Sequence, residues 1–239
     1  MIPQAVRYAG SERASFGWFV LLAFAATALP WYRGQGLGID PAASALAEVA
    51  GGSVWLLPVP FVAVGLAMLA LTSDMRRHPV FLPLVVAGLV LTLGQGFVIG
   101  LRGPVLTEIV ELFPAAASGQ QGFGWGAFLS LLAMLSLISD GMAARGFCRG
   151  ERFPTFAIVL ILALLATFVF FPVLRLAAAA FIGPDGTLAA DAFVARVTAP
   201  ELWRLDFFVS GSRCGVVINT VQLGLLAATL STALGLALA

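Results

Sequence analysis

The chain has 239 residues, of which 60% are hydrophobic and 10% charged, with a mean hydropathy of +1.01. Soluble domains carry about 25% charged residues, and a chain this apolar has too little polar surface to cover a water-facing exterior. A net charge of +1 says nothing about nucleic acid; the expected partner is a lipid bilayer, as the solvent, and no nucleic acid.

Six apolar runs follow in chain order: Phe16–Tyr32, Val54–Thr72, Val80–Leu101, Gly124–Ala144, Phe156–Val173 and Gly215–Ala239. Each is close to the ~20 residues that cross ~30 Å of hydrocarbon at 1.5 Å per residue. Asp140 is the only charge within them, near the end of its run. Alternation of period two is missing, which argues against a membrane β-barrel. The fold class is therefore all-α, a polytopic transmembrane helical bundle of about six spans.

The first run has a signal-peptide look, with Arg7 and Arg13 before it and Ala26-Thr27-Ala28 within it, but it is read as a retained first helix. The first long connection, from Arg33 to Ser53, predicts a short helix over Ala42–Val49 capped by Asp40. The second, Gly183–Arg213, mixes a Pro-Asp-Gly turn with near-helical apolar spacing and is expected to hold short helices along the surface. Pro172 is expected to end or kink the fifth run. Trp18, Trp31, Trp55 and Trp125 stand near run ends, where indole rings suit the headgroup layer.

Arginine placement orients the chain. With the amino terminus in the cytoplasm, Arg7, Arg13, Arg76, Arg77, Arg145, Arg149 and Arg152 lie inside with Glu12, Asp74, Asp140 and Glu151. The outer side then holds Arg33, Arg102, Arg175, Arg196, Arg204 and Arg213 against a larger set of acids, among them Asp40, Glu48, Glu108 and Glu111. The excess of arginine belongs on the cytoplasmic side, which places both termini there. Cys148 and Cys214 fall on opposite sides in this arrangement, which forbids a disulfide between them.

Catalytic chemistry finds no foothold. His78 stands alone in an inside loop, no His, Cys, Asp and Glu set has metal-ligand spacing, and phosphate-binding glycine loops and a Gly-x-Ser-x-Gly elbow are missing. Glu108 and Glu111 would share a helix face but sit beside Pro104 and Pro114 outside the membrane, as a solvated surface. The expectation is a protein that is not an enzyme and needs no cofactor or metal. No ionisable residue stands at mid-span, so energy for moving a solute would have to enter from elsewhere, such as a separate ATPase.

Small and amide side chains carry the remaining signal. Gly88, Thr92, Gly96 and Gly100 recur every four residues, a ridge that lets helices approach closely. Gly224, Ala228, Ser231 and Gly235 form a second such face on the last run. On a different face of that run Asn219 and Gln222 stand at i, i+3, and amides in hydrocarbon either bond to a neighbouring helix or line a wet path. Gln95 poses the same alternative.

The stretch from Asn219 to Ala239, beginning Asn-Thr-Val-Gln-Leu-Gly-Leu-Leu, resembles the opening of the membrane domain of binding-protein-dependent ABC importer permeases. Pro200–Glu–Leu–Trp203 and Phe207–Phe208 look like the segment that leads into it, and Phe170–Phe171–Pro172–Val173–Leu174 is similar to the preceding helix of the ferric-iron type. The resemblance implies a permease subunit in a bacterial inner membrane, with a cytoplasmic ATP-binding cassette ATPase and a periplasmic solute-binding protein as partners. It divides the chain into a four-span region, 1–153, and the start of a permease-like domain, 154–239. The final run is apolar to Ala239 and the family's Glu-Ala-Ala loop lies further on, so the chain is expected to be a leading portion of a longer permease. The alternative is a small membrane scaffold or accessory subunit whose small-residue faces pack against a larger complex.

Overall fold

The computed structural model describes residues 4–36, 38–71, 74–101, 103–104, 107–181, 189–203 and 215–238. They are helical apart from short connections and one two-residue hairpin, an all-α membrane bundle. The chain forms two compact units, Met1–Pro172 and Val173–Ala239. The boundary at 153/154 rests on family resemblance. Packing divides the chain one helix later, because the fifth apolar run lies against the fourth.

The first unit begins with α1, Gln4–Ala28, which stops two residues before Pro30 because the residue preceding a proline is driven out of the helical region. The strand-like segment after it zips onto residues 122–126, which lead into a later helix: Arg33 N donates to Gly122 O at 2.7 Å, Gly124 N to Trp31 O at 2.7 Å and Gly126 N to Pro30 O at 2.9 Å. The short helix expected from Asp40 is two pieces. Asp40 accepts from Ala42 N over a 3₁₀ turn at Pro41–Ala43, and extended Ser44 then caps α2, Ala45–Ala50, by accepting from Ala47 N. A 3₁₀ turn at Val54–Leu56 leads into α3, Pro58–Ala70, and a second at Met75–Arg77 into α4, Phe81–Val98. Strands β1, Ile99–Gly100, and β2, Gly103–Pro104, pair as a hairpin before α5, Thr107–Leu112. Helix α6 spans Trp125–Ala144 and α7 spans Arg152–Leu165.

Pro172 neither ends nor breaks the fifth run. A π-helical turn, Ala166–Phe170, precedes it, with Phe171 N donating to Ala166 O, and α8 continues over Phe171–Ala180. The wider turn accommodates a residue with no N–H to offer the helix. In the second unit follow α9, Ala190–Val197, and α10, Val216–Leu238. Arg196 donates to the carbonyls of Ala179 and Ala180 at the end of α8, where orphan acceptors and the negative dipole end favour a cation. Much of the 183–213 connection, with Phe207 and Phe208, lies outside the described residues, as does Cys214.

Among the described residues, four helices are long and apolar enough to cross a bilayer: Phe81–Val98, Trp125–Ala144, Arg152–Ala180 and Val216–Ala237. The first apolar run ends at Ala28, ahead of Pro30, as the last part of α1, and the second folds as a 3₁₀ turn followed by the 13-residue helix α3. Helix α6 is the axis of the first unit, with most of its residues buried. Around it α1, α3, α4 and α7 bury Leu22, Leu56, Leu66, Phe81, Met134 and Leu137. Trp31 belongs to this core, with no exposed surface, and is not the interfacial anchor its position near a run end suggested. Trp125, half exposed, is placed as an anchor would be.

Candidate functional site

Asn219 and Gln222 stand in the first two turns of α10, both exposed, one turn apart on one side of the helix. Within the second unit α10 carries its leucines outward, from Leu223 (70% exposed) to Leu236 (75%). The small-residue face is equally open: a methyl built on Gly224 or Gly235 meets nothing within 4 Å, and Ala228 and Ser231 are exposed. Both faces of this helix are thus presented outward by their own unit, and the apolar one must meet lipid or protein. Thr220 and Thr229 turn their hydroxyls back to the carbonyls of Val216 and Leu225.

The ridge on α4 faces inward. A methyl on Gly88 would run into the Val62 side chain of α3, Thr92 is buried, and a methyl on Gly96 would lie 2.5 Å from the ring tip of Phe123. Gly100 is not part of that ridge. Helix α4 ends at Val98, and Gly100 pairs with Gly103 in the hairpin, its carbonyl accepting from Gln120 N at 3.0 Å. Spacing alone could not locate that end, because the hairpin closes on Gly103 at φ +99.

A constellation that the sequence pattern did not reveal lies at one end of the first unit. The Asp140 carboxylate, buried on α6, accepts from Ser15 Oγ of α1 at 2.6 Å and faces Arg152 Nε of α7 at 3.2 Å. Arg152 Nη2 also donates to Ser15 Oγ at 3.0 Å, closing a triangle among three helices. Beside it Arg76 is buried, and Arg145 donates to the carbonyls of Arg76, Gly141 and His78, clamping the α3–α4 turn onto α6. The one signal available was Asp140 itself, a lone acid in an apolar run. Buried carboxylates require partners.

At the opposite end Tyr32 Oη donates to Gln120 Oε1 at 3.2 Å and accepts from Trp55 Nε1 at 3.4 Å, while Gln35 Nε2 donates to Glu48 Oε1 at 2.7 Å. Gln120 reaches on to the backbone carbonyl of Gln95. Next to this network opens a cavity of about 400 Å³ lined by Arg33, Gly34, Gly36, Phe123, Trp125 and Phe128. Its wall is aromatic, and Arg33 brings a positive charge to it.

No family model, no curated protein and no solved structure matches this chain.

Proposed function

We propose that the chain is the membrane-embedded part of a binding-protein-dependent ABC importer permease, most similar to the ferric-iron type, in a bacterial inner membrane with both termini cytoplasmic. The reading is carried by the Asn219–Ala239 stretch, whose Asn-Thr start and Leu, Ala, Ser/Thr and Gly texture resemble the first helix of that family's membrane domain. It is supported by α10 itself, an apolar helix that its own unit leaves uncovered and whose amides stand apart from its small-residue face. In this reading Gly224, Ala228, Ser231 and Gly235 meet other helices of the permease, and Asn219 and Gln222 border the translocation path, since amides are unfavourable against lipid. A cytoplasmic ATP-binding cassette ATPase supplies the energy and a periplasmic binding protein delivers the solute. Residues 1–153 form an additional four-span region ahead of the transport domain in the sequence.

The test is uptake of ferric iron per folded transporter in the complete system. Asn219→Leu and Gln222→Leu are expected to lower uptake with protein level and ATPase assembly intact. If the chain is instead a scaffold or accessory subunit, uptake falls only in step with protein level. Unchanged uptake in both variants ends the path assignment.

A further inference from the structure

The interior of the first unit contains polar atoms that no described residue satisfies. Thr92 Oγ1 on α4, Ser130 Oγ on α6 and Trp31 Nε1 are fully enclosed and make no hydrogen bond among the described residues, and the Gln95 side-chain amide has neither its donor nor its acceptor used there. A helical hydroxyl has an easy remedy, the carbonyl four residues back, and this protein uses it elsewhere: Ser136 donates to Leu132 O at 2.9 Å, Ser139 to Leu135 O at 2.8 Å and Thr155 to Glu151 O at 2.6 Å. Thr92 and Ser130 do not make that bond.

These atoms belong to one region. Gly88 packs near Met134 and Gly96 near Phe123, so α4 and α6 run antiparallel and bring Thr92 to about the height of Ser130. One turn further along α4 is Gln95, next to Gly96 under the Phe123 ring, and that ring meets Trp31 edge-on at 6.1 Å. Phe123 is also a wall of the open cavity at Arg33. Phe123 is thus shared by the cavity wall, by Gly96 next to Gln95, and by Trp31.

We propose that this region is a binding site for a small cluster of water molecules, entering from the Arg33 cavity past Phe123 and bonding Gln95, Trp31, Thr92 and Ser130. Water fits the inventory: a cation cannot take the indole N–H, and an anion, which could accept from all four groups, leaves the Gln95 Oε1 without a donor, whereas water both donates and accepts. Buried waters occupy sites of this kind, with two to four polar partners each. The site is independent of the transport reading, since it lies wholly within the first unit.

Radiolytic hydroxyl-radical footprinting of the full chain in detergent micelles tests it, because radicals formed from bound water mark the side chains that touch that water. Trp31, with no exposed surface, is expected to be oxidised at a rate comparable with half-exposed Trp125. In the Thr92→Val, Ser130→Ala double variant that labelling is expected to fall to background, with no gain in melting temperature. An unlabelled Trp31 in the parent protein, or labelling unchanged in the variant, overturns the proposal. So does a variant that melts higher than the parent, the result for a dry core from which two unsatisfied hydroxyls have been removed.

Discussion

At the scale of single residues, α4 depends on what is missing from two of its positions. Gly88 lies against Val62, whose branched Cβ has one strongly preferred rotamer and little room to give way, whereas Gly96 lies against the far end of the Phe123 ring, which can swing. Gly88→Ala is therefore expected to cost about 1–3 kcal/mol, the range for overpacking a tight contact, and Gly96→Ala less. Leu91, 56% exposed on another side of the helix, should tolerate Ala within about 0.5 kcal/mol. Thermal unfolding in detergent ranks the three, and equal effects would mean that the glycines are there by composition alone. The inward face of Gly88, Thr92 and Gly96 was legible because spacing by four marks one side of a helix. Gly100 was misplaced on it because the end of α4 depends on a hairpin partner, Gly103, rather than on periodicity. Gly224 and Gly235 share the same kind of spacing but touch nothing in their own unit, so spacing identifies a face without identifying what covers it.

At the scale of elements, hydropathy located every apolar helix but not its length, since Pro30, Pro58 and a π-helical turn act through backbone geometry that leaves the average apolarity unchanged. The latch among α1, α6 and α7 was illegible for a different reason. Ser15 and Asp140 are 125 residues apart and meet only because α1 and α7 both pack on α6. Removing one partner of such a pair strands the other charge in an apolar setting. Fully buried pairs lose about 3–5 kcal/mol in that event, and a smaller loss of about 2 kcal/mol is expected here because the Arg152 side chain is 31% exposed. Asp140→Leu and Arg152→Met should each lower the melting temperature, while the double variant should lose clearly less than the sum of the two. Additive losses would show that carboxylate and guanidinium contribute separately and that the helices are held by apolar packing alone.

At the scale of the whole molecule, the first unit separates its charges along the bundle. Arg76, Arg145 and Arg152 gather where α4 begins and α6 ends, with Asp140 drawn into their midst. Asp40 and Glu48 lie toward the other end with Tyr32 and Gln120, where Arg33 lines the cavity. Arginine resists transfer across the membrane during insertion, so the orientation proposed above puts the end richer in arginine in the cytoplasm. Arg33 weighs against that orientation, but Arg7 and Arg13, which precede the first apolar run, would both have to cross if the bundle were inverted, and they outweigh it. In that proposed orientation the arginine-bearing turn between α3 and α4 lies inside, and the turn after α6, with Arg145, Arg149 and Arg152, lies on that same side. A reporter active only in the cytoplasm, fused after Arg77 or after Arg152, is expected to give signal, and fusions after Gly51 or Gly119 to give none. The two turns must agree with each other, because an even number of spans separates them. Signal confined to the Gly51 and Gly119 fusions would overturn the proposed orientation. Signal after Arg77 but not after Arg152 would mean that one of α4 and α6 does not cross, an outcome at odds with their length of 18 and 20 residues and with the antiparallel packing of Gly88 against Met134 of α6 and of Gly96 against Phe123, two residues before it.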